Sequence, residues 1–183
     1  MKITSGKFSG VPLYCPDTNV RPTLIKIRQA VFNIIRDIIN NSVFIDLFSG
    51  TGAFGFEAIS NGAEKVYFID VNNKKYLSKN AEKLKLGKNF YDVIMADYRM
   101  GLKLLKRWEV VADIIFADPP YNKGYLAQLL KNDIIKEILN PNGMFIIEVH
   151  KKEREKMESF LNCWKIYKEK KYGDTYIIFF NLT

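Results

Sequence analysis

Histidine is nearly missing from this sequence of 183 residues, where His150 stands alone, and cysteine occurs only at Cys15 and Cys163. A single imidazole excludes a multi-histidine metal site, and two cysteines so far apart lack the close spacing of a zinc or iron–sulfur motif. No metal is expected, and the two thiols read as reduced, as they are kept in the cytoplasm. Long apolar runs are absent as well: no stretch approaches the roughly 18 residues of a membrane span. The opening Met1-Lys2-Ile3-Thr4-Ser5-Gly6 has no apolar core of the kind a secretory signal carries. Repeats, low-complexity tracts and linker-like shifts in composition are also missing. One cytoplasmic domain over residues 1–183 is expected, away from the membrane. No exposed oligomerisation stripe is evident, so a monomer is the default.

Acidic residues are the other shortage. Twenty Asp and Glu against 28 Lys and Arg leave a net charge of +8, which favours an anionic partner such as nucleic acid. Over residues 1–40, Lys2, Lys7, Arg21, Lys26, Arg28 and Arg36 face only Asp17 and Asp37. Residues 151–171 are richer in lysine but mix it with Glu153, Glu155, Glu158 and Glu169, the pattern of a solvated face.

What is present is alternation. Short apolar runs at 43–48, 65–70, 91–96, 112–117 and 143–149 read as strands, separated by stretches long enough for crossover helices. That pattern predicts a doubly wound parallel sheet with right-handed crossovers. Two further runs, Trp164–Tyr167 and Thr175–Phe180, flank Lys170-Lys171-Tyr172-Gly173-Asp174 and predict an antiparallel hairpin closing the sheet. Ahead of the alternation, residues 3–14 suggest a small hairpin and 15–22 a loop. From Thr23 as N-cap, Leu24, Ile27, Val31, Ile34, Ile35 and Ile38 predict an amphipathic helix to about Asn40.

Two strand ends carry chemistry. The run Ala112–Ala117 leads without a break into Asp118-Pro119-Pro120-Tyr121. Two prolines fix φ and remove two N–H donors, so the chain leaves the sheet stiffly with its carbonyls free to accept. A planar NH2 group fits there, donating to the Asp118 side chain and the Pro119 carbonyl while its ring stacks on Tyr121. Upstream, Asp46-Leu47-Phe48-Ser49-Gly50-Thr51-Gly52 ends another strand and opens a helix. Gly50-Thr51-Gly52-Ala53-Phe54-Gly55 matches the dinucleotide fingerprint G-x-G-x-x-G, and Asp70 follows at the distance of a ribose-binding acid. A dinucleotide oxidoreductase is therefore a competing reading. Asp46 argues against it, because a carboxylate beside the glycine loop repels a pyrophosphate, whereas it suits the ammonium and sulfonium of S-adenosylmethionine. In that reading Phe48, Gly50 and Gly52 form the cofactor loop, with the glycine backbones close to the ligand. Asp70 takes the ribose hydroxyls, Asp97 the adenine amine, and Tyr98 packs on the ring. Helix capping is the plainer use of these acids.

Taken together these stretches resemble the 16S rRNA guanine-N2 methyltransferases of the RsmD type. The resemblance runs through Gly6-Lys7-Phe8-Ser9-Gly10, Arg21-Pro22-Thr23 with Arg28, the block Asp46–Ala58, Ser60-Asn61-Gly62-Ala63, Asp118-Pro119-Pro120-Tyr121 and Tyr172-Gly173-Asp174-Thr175. It implies a Rossmann-like α/β fold with a mostly parallel seven-stranded sheet, a C-terminal antiparallel hairpin and a small N-terminal hairpin and helix. It also implies S-adenosylmethionine as cofactor and a guanine N2 amine of 16S rRNA, within the small ribosomal subunit, as substrate. Asp118 would orient the amine, Tyr121 would stack on the base, and residues 1–22 with Lys7, Arg21 and Arg28 would touch RNA. The chain departs from the family's habits at Ser9 and Asn61, where arginine is usual, at Ile25-Lys26, where Asp-Arg is usual, and at Asp70, where glutamate is usual. DNA adenine-N6 methyltransferases share the proline motif but carry a recognition insert for which this spacing leaves no room. Glutamine-N5 protein methyltransferases more often have Asn at position 118, and a non-catalytic nucleic-acid-binding module would bind no cofactor.

Overall fold

Short apolar runs become strands here because both faces of the sheet are covered. The computed structural model describes residues 1–16, 22–121, 123–161 and 163–183. Five parallel strands come first: β1 (Val43–Leu47), β2 (Lys65–Asp70), β3 (Tyr91–Met95), β4 (Ala112–Ala117) and β5 (Leu139–His150). The helices α1 (Pro22–Ile34), α2 (Ala53–Ser60), α3 (Lys74–Lys83), α4 (Tyr98–Arg107), α5 (Tyr125–Leu130), α6 (Asp133–Ile138) and α7 (Lys151–Arg154) lie before, between and after them. The hairpin of β6 (Trp164–Tyr172) and β7 (Thr175–Leu182) completes a seven-stranded sheet in the order β3-β2-β1-β4-β5-β7-β6, with β7 antiparallel to both neighbours.

The period of two along a strand sorts the core. Phe44, Ile114, Phe116, Met144 and Ile146 face the side covered by Ile27, Val31 and Ile35 of the α1 region, Phe56 of α2 and Leu77 of α3. Ile45, Leu47, Ile115, Ala117, Phe145 and Ile147 face the other side, covered by Leu102 and Leu105 of α4, Leu126 and Leu129 of α5 and Ile135 of α6. The chain runs outward from β1 to β3, then returns to place β4 on the other side of β1. The gap between the carboxyl ends of β1 and β4 is thus the topological switch point, where open α/β sheets hold their ligands.

Three elements differ from the sequence reading. Helix α1 begins at Pro22, the favoured first helical residue, and ends at Ile34 rather than near Asn40. Turns continue to Asn41, whose φ of 57 breaks the helical path, while Ile35 and Ile39 stay buried, so the apolar period outlasts the helix. Strand β5 starts at Leu139, with a register jump between the pairs Ala112↔Leu139 and Ile114↔Met144 that absorbs Asn140–Gly143. The N-terminal hairpin is short, one antiparallel bridge, Lys2↔Pro12, flanked by N–H bonds of Ile3 to the Val11 carbonyl at 3.0 Å and of Leu13 to the Met1 carbonyl at 2.9 Å. Its loop bonds elsewhere: the Lys7 N–H donates to the Ser60 carbonyl at 2.7 Å, and the Phe8 N–H to Ser60 Oγ at 2.9 Å, which fixes the segment to the end of α2.

Candidate active site at the switch point

Asp46, Asp118 and Glu148 share one face of the sheet. Register pairs Asp46 with Phe116 and Phe116 with Ile146, so two residues further on Asp118 and Glu148 lie level at adjacent strand ends. Asp46 is 2% exposed, and its Oδ2 accepts from the Gly55 N–H at 2.9 Å, tying β1 to the first turn of α2. Burial pushes its pKa up to about 7, against the Gly55 bond that lowers it and with a small push from Asp70. The Asp118 carboxyl is raised well above the usual carboxylate range, first by burial and then by Glu148 and Asp46. Among the described residues nothing is hydrogen-bonded to it, and it caps no helix, since α5 opens only at Tyr125. Pro119 is buried and Pro120 exposed. Tyr121 is 38% exposed, with its hydroxyl donating to Glu148 Oε1 at 2.5 Å and lying 3.4 Å from Thr175 Oγ1. Burial and then the Glu148 bond raise its pKa. The start of β7 therefore holds the tyrosine whose ring faces outward.

The glycine loop follows β1. Phe48 adopts φ 61, a left-handed conformation that costs a bulky residue about 1–2 kcal/mol, and its ring lies 5.2 Å from those of both Tyr98 and Tyr125. Strain held at a ligand-lining residue is a common mark of a functional loop. Gly50 has φ 54, and a Cβ there would meet only open space. Gly52 has φ 83, and a Cβ there would stand 2.6 and 2.7 Å from Phe56 and Leu77, so packing as well as backbone conformation requires that glycine. Phe48, Asp70, Asp97, Tyr98, Pro120 and Tyr125 come together around a cleft of about 120 Å³. Within it Asp70 Oδ2 accepts from the Gly50 N–H at 2.8 Å, and Oδ1 from the N–H groups of Asn72 and Asn73 at 2.8 and 2.9 Å. Asp97 caps α4 through the Arg99 N–H at 3.0 Å. Asp97 thus does the capping work that was the plainer reading, Asp70 holds the turn before α3 without capping that helix, and both face the cleft. Tyr98 is 3% exposed with its hydroxyl bonded to Gln128, so it forms a wall of the cleft.

These residues fit a ligand that joins an adenosine to a cationic amino acid. Acceptors line the cleft where hydroxyls and an aryl amine need partners, an aromatic wall stands beside them, and the buried Asp46 suits positive charge. Among the described residues, no group of three or more His, Cys, Asp or Glu is placed to hold a metal ion.

The residues expected at RNA separate. Lys7 is exposed, with its ammonium 5.5 Å from the Phe8 ring centre. Arg21 lies outside the described residues. Arg28 is a correction: it is 2% exposed, its Nε stands 2.9 Å from Glu57 Oε2, and it donates from Nη2 to the Lys2 carbonyl at 2.5 Å. That guanidinium is committed to Glu57 and the Lys2 carbonyl inside the protein, which takes it away from phosphate. Glu57 also accepts from the Thr4 and Ser5 N–H groups, at 2.9 and 2.7 Å, and from both hydroxyls. Three structural residues were not singled out by sequence reasoning: Glu57, Glu148 and Asn80. Asn80 is fully buried and joins Tyr14 to the Thr51 carbonyl. For Glu57 and Asn80 nothing local marks burial. For Glu148 the only trace is a charge inside an otherwise apolar run, Met144–Val149, whose neighbours the sequence does not show.

The model of a family described as conserved hypothetical protein 95 matches residues 1–181. The ribosomal RNA small subunit methyltransferase D of Buchnera aphidicola from Baizongia pistaciae is 33% identical over 177 residues, covering 93% of this chain and 86% of that protein. The solved Escherichia coli protein yhhF superposes with a TM-score of 0.82 at 24% identity, covering 100% of this chain and 97% of that one. SMU.776, solved with S-adenosylhomocysteine, superposes with a TM-score of 0.71 at 17% identity, over 89% of this chain and 50% of that one. The last two likenesses bear on the fold.

Proposed function

This chain belongs to the RsmD-type family of small-subunit rRNA methyltransferases, and we propose that it methylates the exocyclic N2 amine of a guanine in 16S rRNA of the small ribosomal subunit, with S-adenosylmethionine as donor. The observation that carries the reading is the half-buried Asp118 carboxyl at the end of β4, level with Glu148 and facing the same side as Asp46. When bound, S-adenosylmethionine supplies an electrophilic methyl on a sulfonium. This chain's own residues supply position and charge.

An aryl amine shares its lone pair with the ring and is a poor nucleophile. A hydrogen bond from its N–H to Asp118, and another to the Pro119 carbonyl, localises that pair on nitrogen as it becomes tetrahedral. Acceptance of the methyl would leave the nitrogen cationic, with a proton to lose. Asp118, its basicity raised by burial and by two neighbouring carboxyls, stabilises that charge and is placed to take the proton. The exposed ring of Tyr121 is the stacking surface for a base drawn out of the RNA. RNA then approaches over the N-terminal segment, where Lys7 is exposed and Tyr14, 49% exposed, has Lys79 and Lys83 ammonium groups 5.7 and 4.7 Å from its ring centre.

The test is transfer of labelled methyl to small subunits from cells lacking this enzyme, with DNA and protein substrates in parallel and nucleoside analysis of the product. N2-methylguanosine formed only from the rRNA is the expected result. Label in DNA adenine or in protein glutamine would replace the reading.

A further inference from the structure

Glu148 is the one member of the acid row to which the mechanism above gives no task. Its side chain is 2% exposed. Tyr121 occupies Oε1, and Oε2 is buried without a hydrogen-bond partner among the described residues. An ionisable group left so is costly to keep, and each such group in a native protein calls for an explanation. Core packing does not supply one. Glu148 lies where β4, β5 and β7 meet, paired across to Ile177, and a leucine or methionine would fill that position at no such cost. Its position is functional instead: level with Asp118 on the neighbouring strand, beneath the hydroxyl of the tyrosine that presents its ring to solvent.

Resting on the guanine reading, we propose that Glu148 determines the choice of base, its free Oε2 accepting the N1–H of the target guanine. Guanine presents a ring N–H next to its exocyclic amine, so neighbouring acceptors on adjacent strands, Glu148 for N1–H and Asp118 for N2–H, match two neighbouring donors. Adenine offers an acceptor at N1 and cytosine one at N3, and either would face a carboxylate lone pair. A site built on buried acceptors rejects a base that leaves them unpaired, which is the stronger kind of discrimination. Tyr121 couples the two duties, since the hydroxyl that holds Glu148 in place belongs to the ring that stacks on the base.

The experiment uses small subunits whose rRNA carries either guanosine or 1-methylguanosine at the position the wild-type enzyme modifies, with Glu148→Gln and Glu148→Ala beside the wild type. On guanosine, Glu148→Ala is expected to lose roughly 10- to 100-fold in kcat/KM, the size of one good base contact. Glu148→Gln, which keeps the shape and one acceptor, should fall between, and both should bind S-adenosylhomocysteine within about twofold of wild type. The deciding readout is the cycle: 1-methylguanosine penalises the wild type by a similar factor, while Glu148→Ala pays no further penalty. Equal penalties in wild type and Glu148→Ala, or wild-type kcat/KM in Glu148→Ala on guanosine, would overturn the assignment. The wild-type arm with guanosine needs no variant to fold. If it yields no N2-methylguanosine, the functional reading fails and takes this inference with it.

Discussion

At the residue scale the site is a row of carboxyl groups, Asp46 and Glu148 buried and Asp118 half-buried, that the fold holds together against their preference. Asp46 titrates at about 7 because burial outweighs the Gly55 bond. An acid whose folded pKa is raised binds its proton more tightly folded than unfolded. Stability is therefore fully present below the ordinary carboxylate pKa and is lost as pH rises toward about 7, a cost on the order of 4 kcal/mol. Asp46→Asn keeps an acceptor for the Gly55 N–H and removes the charge. Its melting temperature should exceed that of wild type at pH 8 by several degrees, with the difference closing toward pH 4, while affinity for S-adenosylhomocysteine falls about tenfold or more. A difference independent of pH would contradict the assignment. Asp118 carries the same displacement into the kinetics. Its raised pKa contributes to the acidic limb of the kcat/KM profile above the usual carboxylate range, with rate rising as pH rises through it, and Asp118→Asn should remove that contribution and leave the part set by Asp46. The sequence made Asp46 and Asp118 legible because each ends an apolar strand beside a loop of special backbone. Glu148 was not, since its meaning lies in the neighbours that strand pairing brings to it.

At the scale of elements, the loops do their work because other elements lock them. Glu57 on α2 gathers Arg28 from α1 and the Thr4–Ser5 backbone into one buried cluster, which braces the helix that follows the glycine loop. Arg28→Ala leaves the Glu57 charge without its partner and should cost about 3–5 kcal/mol, read as a fall in melting temperature. Where the folded fraction is restored by lower temperature, RNA affinity should stay within about twofold of wild type. A loss of RNA affinity without loss of stability would return Arg28 to the RNA face. Gly52→Ala combines a left-handed backbone with a Cβ 2.6 Å from the Phe56 ring, so roughly 2–4 kcal/mol of stability should go with it. Strands and crossovers were readable from period and length, since both faces of a central parallel strand must be apolar. The end of α1, the short N-terminal hairpin and the burial of Arg28 were not. Each is settled by a partner distant in sequence: the core under Ile39, the Ser60 end of α2, and Glu57.

At the scale of the whole molecule, topology does the positioning. The order β3-β2-β1-β4-β5-β7-β6 sets the loops after β1 and β4 side by side, so the glycine loop and the Asp-Pro-Pro-Tyr loop, far apart in sequence, face one another. The antiparallel β7 then carries Thr175 to within reach of Tyr121, which a parallel continuation of the sheet would not. The net charge of +8 sits outside this acid row, and the proposed encounter with RNA predicts that it acts there. KM for small subunits should therefore rise steeply between about 50 and 200 mM salt while kcat changes little. Tyr14→Ala and Lys83→Glu should raise KM several-fold at low salt with kcat retained, and unchanged KM in both would move the RNA surface elsewhere. The most direct measurement is single-turnover methyl transfer to small subunits by wild type and Asp118→Ala, quantified as N2-methylguanosine, with S-adenosylhomocysteine affinity measured on the same preparations. The expected result is a rate lower by about 100-fold or more in the variant, with affinity for the cofactor product unchanged within about threefold. A variant that transfers methyl at the wild-type rate would contradict the central role given to Asp118.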